Sequence, residues 1–182
     1  MPTRSMEETM DAFGGMLDDV DAILRAAHAR YRSYSPEHLI EHDMRAQTAC
    51  TYAHAVAEAD RAFLANPKVH PLEIRGLKLW IVDDLNAALR MKKMDEDGKS
   101  RNYPTKQAKD YDAGKELPGL PVPPVRLTIG YLLDATNVNF VRTQIARPSG
   151  SKNIMWCAAI VPSAERKVGE RAWVEVTRGM SF

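Results

Sequence analysis

The residues best equipped for chemistry lie between Leu89 and Lys109, in the stretch LRMKKMDEDGKSRNYPTKQAK, where seven basic side chains and Tyr103 surround one acidic turn. Ammonium and guanidinium groups at this density suit phosphate oxygens, and a tyrosine among them offers a ring on which a base can stack. If 89–103 folds back as a hairpin, strand alternation puts Arg90 and Lys92 on one face, pointing outward together, and Lys93 on the other. Lys99, Arg101 and Tyr103 alternate likewise on the returning strand, and Lys106 and Lys109 extend the patch if a helical turn begins near residue 104. These eight residues are the predicted nucleic-acid-binding surface. The same charges would also suit an acidic protein partner, or simply keep an edge hairpin solvated and unpaired.

A catalytic version uses the same chemistry. Metal-independent ribonucleases, including small toxins of toxin–antitoxin pairs, need only cations to stabilise the developing phosphorane charge and one tuned side chain to move a proton. Arg101, Tyr103, Lys93 and Lys106 would be that set, but the likeness is one of class and not of motif. No catalytic residue is assigned from the sequence.

Elsewhere the signals are weaker. His38-Leu39-Ile40-Glu41-His42 reads H-x-x-E-H, the inverted zincin pattern, in which a helix presents two imidazoles and a carboxylate to zinc. A third ligand is not evident, because His54 is twelve residues from His42 and so about 120° around the helix. Neither a metal nor another cofactor is predicted. All five histidines precede residue 71, neither a Walker A loop nor G-x-G-x-x-G occurs, and Cys50 and Cys157 support neither a disulfide framework nor a four-cysteine zinc site.

The elements that must position the basic block follow from periodicity. Apolar residues from Met6 to Ala27 recur at three- and four-residue steps and predict one helix over Met6–Arg32, weakened at Gly14-Gly15. Ser35-Pro36 opens a second helix that runs to about Ala65, ahead of Asn66-Pro67. Residues 77–82 lean towards a buried strand. Asp95-Glu96-Asp97-Gly98 is a hairpin turn signal, and Leu117–Pro124 carries four prolines in seven residues, an extended connector that could also dock in a partner's groove. Three alternating runs follow, Val125–Leu133, Val138–Arg147 and Asn153–Val161, and a fourth, Ala172–Thr177, closes the pattern.

Helices grouped before strands predict an α+β fold: an N-terminal antiparallel helix pair on a C-terminal, mostly antiparallel meander. The expected unit is a single domain over 1–182, helical over 1–75 and β-rich over 76–182, with the 89–116 segment projecting as its working face. Net charge is +1, yet residues 1–75 hold eight Lys/Arg against twelve Asp/Glu, and residues 76–182 hold seventeen against twelve. That split favours an anionic partner on the C-terminal half. The first fifteen residues lack the apolar run of a secretory signal and no window reaches a membrane span, so the expectation is a cytoplasmic protein without a membrane partner. The leading functional expectation is a nucleic-acid-binding protein, RNA or DNA. The ribonuclease-like toxin and a protein-interaction module using the proline-rich segment are its alternatives.

Overall fold

Local chemistry breaks the helical region into more pieces than its apolar stripe suggests. In the computed structural model, which describes residues 4–100, 105–120, 125–150 and 153–176, Ser5 opens α1 (Met6–Phe13) with a reciprocal cap. Its side chain accepts from the Glu8 N–H while the Glu8 carboxylate accepts from the Ser5 N–H. Gly14 then adopts φ 52° and its N–H donates to the Asp11 carbonyl, ending α1 before α2 (Met16–Arg32) begins. The second predicted helix is likewise two. Ser35 caps the short α3 (Pro36–Glu41), His42 turns to extended backbone, and the Asp43 carboxylate accepts from Ala46 N–H to start α4 (Met44–Phe63).

Helices α2 and α4 pack as a pair, with Leu17, Val20, Leu24 and Ala27 in one cluster with Ala55, Ala59 and Phe63. They cover one face of a seven-stranded sheet whose spatial order follows the chain: β1 (Val69–Ile74), β2 (Leu77–Val82), β3 (Ala87–Lys93), β4 (Val125–Leu133), β5 (Phe140–Pro148), β6 (Ile154–Ile160) and β7 (Trp173–Glu175). Every neighbouring pair is antiparallel except β3–β4, which is parallel and joined by a crossover carrying α5 (Lys106–Asp112). Alternation sorts the side chains. Leu89, Met91, Leu127, Ile129, Ile145 and Ala158 meet the helix pair, while Leu79 and Ala88 meet Tyr111 of α5 and Leu117 and Leu120 beyond it on the opposite face. The chain is an α+β fold with helices first and strands after. Among the described residues no helix is long and apolar enough to cross a membrane.

Three expectations change. First, β1 lies in the part read as helical: Arg75 and Gly76, both at positive φ, form a two-residue hairpin between Ile74 and Leu77. Second, the described part of the expected ribbon, 89–100, is not free. Strand β3 is interior, between β2 and β4, and among the described residues the expected turn at Asp95–Gly98 closes with a single bridge, Met94 to Ser100; 101–103 lie outside the described residues. Third, that turn does not project, because burying its apolar surface holds it on the sheet. Met94 is 1% exposed, a Cβ on Gly98 would stand 2.7 Å from Cys157 Sγ, and Gln144 Nε2 donates to the Asp95 carbonyl at 2.6 Å. Leu117 and Leu120 of the proline-rich connector are buried; Pro121, Val122, Pro123 and Pro124 lie outside the described residues.

Candidate nucleic-acid interface

The strand that carries the basic block sends its charges to different fates, and the sheet decides which. Arg90 faces α5 and is 3% exposed. Its guanidinium donates to Thr128 Oγ1 at 2.9 Å and to Asp112 Oδ1 at 2.5 Å, and lies 4.9 Å from the Tyr111 ring centroid. Arg126 lies over the same ring and donates to the carbonyls of Asp110, Tyr111 and Lys115, binding the C-terminal end of α5. Burial pushes the Asp112 carboxyl up, with Arg90 opposing. Arg90 is therefore part of the interior and not the outward phosphate contact expected from alternation: β2 and β4 flank its strand, and α5 covers the face it points to.

Lys92, two residues on, stands in an opening. Pairing of β2 with β3 covers only Trp80–Leu89, Ile81–Ala88 and Val82–Ala87, whereas β3 continues beside β4 to Lys93. Where β2 departs, the Lys92 side chain reaches back towards the helix pair, and its ammonium lies 5.8 Å from the Tyr52 ring centroid of α4. Among the described residues no hydrogen bond or ion pair reaches that ammonium. Burial holds its pKa below the usual lysine value, Arg90 adding to the effect and Asp112 opposing it.

Two clefts share a wall there, formed by Tyr52, Met91 and Lys92. The larger, about 840 Å³, opens between the first turns of α4 and the ends of β3 and β4, with Arg45, Thr48, Lys93, Tyr131 and Asn137 in its lining. The smaller, about 160 Å³, runs between the start of β2 and the first turn of α5, past Arg75, Lys78, Thr105 and Gln107. Arg45, Lys92 and Lys93 thus line the larger cleft, and Lys92, Arg75, Lys78 and the buried Arg90 the smaller, with Lys78 Nζ paired to Asp60 at 3.2 Å. The single carboxylate in the two linings, Asp43, is occupied as the cap of α4. Burial raises the Tyr52 phenol, with Glu73 and Asp60 adding to it, and pushes the Tyr131 phenol up to about 12, so both rings are neutral at physiological pH.

The groove's far wall is built with care. Asp134 accepts from the Thr136 hydroxyl, from the Val138 and Asn139 N–H groups and from Asn139 Nδ2, which holds its carboxyl well below the usual range and fixes the loop. That loop presents Asn137 at φ 57°, where Oδ1 accepts from Lys93 Nζ at 2.6 Å and the backbone carbonyl accepts from Gln47 Nε2 at 2.6 Å.

Of the eight predicted residues, the structure gathers Lys92 and Lys93 in the groove with Arg90 beneath them. Lys99 is half-exposed on the turn beside Asp97 at 3.5 Å, and Lys106 and Lys109 stand exposed on α5, lining neither cleft. Arg101 and Tyr103 lie outside the described residues. Missed were Arg45, Tyr52, Arg75 and Lys78. Arg45, Thr48 and Tyr52 fall at i, i+3 and i+7, a spacing that sets them on one helix face and was legible beforehand. The H-x-x-E-H pattern dissolves: α3 ends at Glu41 and His42 turns to Tyr31 and Tyr34. No group of three or more potential metal ligands occurs among the described residues. Comparison with protein-family models, with curated proteins and with solved structures returned no match.

Proposed function

We propose that this chain binds nucleic acid in the groove between α4, β2 and β3. The observation that carries the reading is Lys92: a half-buried side chain with no ion-pair partner among the described residues, held near Tyr52 in the wall shared by two cation-lined clefts. A half-buried positive charge without a compensating anion carries part of the cost of burying a charge, and a phosphate supplies that compensation. Arg45 and Lys93 in the larger cleft and Arg75 in the smaller repeat the charge, while Lys78 is paired with Asp60, and several cations suit a polyanion better than a single small acid. Tyr52 adds a π-face for a base.

Fluorescence anisotropy with labelled RNA and DNA oligonucleotides tests the reading. The purified chain is expected to bind at low salt, and Lys92→Gln to weaken binding about tenfold or more with its circular dichroism unchanged. Absence of binding, or binding indifferent to Lys92→Gln and to Arg45→Gln, would overturn it.

A further inference from the structure

Resting on that reading, we infer that the larger cleft is by itself a pocket for one nucleoside phosphate, with the base against its apolar lining and the phosphate on Arg45 and Lys92. The lining divides by chemistry. Leu24 of α2, Ala55 of α4 and Met91 of β3, each no more than 2% exposed, make it apolar at depth, and Tyr52 adds a ring. Arg45, by contrast, is exposed on the first turn of α4, and Lys92 is half-buried. Among the described residues neither cation makes an ion pair, and the one carboxylate in the lining, Asp43, is occupied as a helix cap. An anion is what this cleft lacks.

A ligand that answers both halves has a flat, weakly polar body and an anionic end. At about 840 Å³ the cleft lies within the range of small-molecule sites and has room for a whole nucleotide. Inorganic phosphate would satisfy the cations and leave the apolar depth unused. An aliphatic acid would fill that depth, yet Thr48 and Asn137 also line it, and their polar groups can pair with a base edge but not with an alkyl chain. The Tyr52 and Tyr131 phenols stay neutral through burial, so neither repels the phosphate.

The test titrates the purified chain with adenosine monophosphate, cytidine monophosphate, the two free nucleosides and inorganic phosphate at constant ionic strength, followed by protein NMR, beside the labelled oligonucleotide. Expected is monophosphate binding about tenfold tighter than either nucleoside or inorganic phosphate, reduced about tenfold in Tyr52→Leu and in Lys92→Gln, with Tyr52→Leu leaving the response to inorganic phosphate unchanged. Oligonucleotide binding alongside a monophosphate no tighter than inorganic phosphate would overturn the pocket while leaving the reading on which it rests. Monophosphate binding indifferent to both substitutions would place the nucleotide elsewhere and overturn it too. Binding of neither oligonucleotide nor monophosphate would remove both.

Discussion

Arg90 and Lys92 sit two residues apart on the same strand, and the difference between them is one of compensation. Arg90 has Asp112, Thr128 and the Tyr111 face around it, so its charge is balanced within the protein. Removing its partner leaves a buried guanidinium without an anion, and Asp112→Ala is expected to destabilise the fold by about 3–5 kcal/mol in urea unfolding. The double substitution Arg90→Met with Asp112→Leu is expected to cost clearly less, because it removes both charges together. If the single and double variants unfold at the same urea concentration, the pair is not a coupled unit. Sequence alone could not separate the two cations: both read as basic side chains on alternate positions. What divides them is that α5 returns over Arg90 from some twenty positions further along the chain, whereas the pairing of β2 with β3 ends before Lys92.

At the scale of elements, the parallel contact of β3 with β4 fixes the groove's floor. A Cβ on Gly130 would lie 2.4 Å from the Lys92 carbonyl oxygen and 2.5 Å from Met94 Cγ, so the strand and the turn on it close over a residue with no side chain. Gly130→Ala must push backbone aside. It is expected to cost about 3 kcal/mol, the upper end for an overpacked core, and to weaken oligonucleotide binding by displacing Lys92; a melting temperature within a degree of wild type would contradict this. Helix α2 carries a pH-dependent contact of its own. His28 is 8% exposed, packs on Phe140 with ring centroids 5.6 Å apart, and its Nε2 has no hydrogen-bond partner among the described residues. Burial lowers its pKa, Arg32 helps, and the Val138 carbonyl and Asp134 oppose. The folded state therefore disfavours the proton that the unfolded chain accepts near its ordinary value of about 6.5. Stability from this site is full above that pH and is lost as pH falls through and below it. His28→Phe is expected to flatten the fall in melting temperature between about pH 7 and pH 5, and an unchanged slope would remove His28 as its source.

The elements differ in how openly the sequence announced them. Val125–Leu133 is a strand to the residue, because it alternates strongly and lies between clear breaks. Edge strand β1 left little pattern: of its six residues only Val69 and Ile74 are buried, it contains Pro71, and its turn is Arg-Gly, not the commoner Asn-Gly. Gly14-Gly15 read as a weak point in an apolar stripe that continues past it, since a stripe records which face is buried and not where the backbone changes course, whereas at the His42-Asp43 break α3 buries no side chain that could have marked it.

For the whole molecule, the charge asymmetry pointed to the C-terminal half, and the structure redistributes it. The groove draws Arg45 and Arg75 from the acidic half and Lys78, Arg90, Lys92 and Lys93 from the basic half, so no one segment holds the proposed interface. Local density of lysine and arginine picked out Lys92, Lys93 and the buried Arg90 of its lining and missed Arg45, Arg75 and Lys78, because tertiary contact, not sequence proximity, assembles it. Each cation that meets a phosphate contributes about 0.7 to the slope of log affinity against log salt for a single strand. The most direct measurement is that slope, taken with one single-stranded oligonucleotide on wild type, Lys92→Gln and Lys106→Gln. A groove centred on Lys92 predicts a slope shallower by about 0.7 in Lys92→Gln and unchanged in Lys106→Gln. The reverse pattern, with Lys106 on the exposed face of α5 reducing the slope and Lys92 not, would place the binding surface elsewhere.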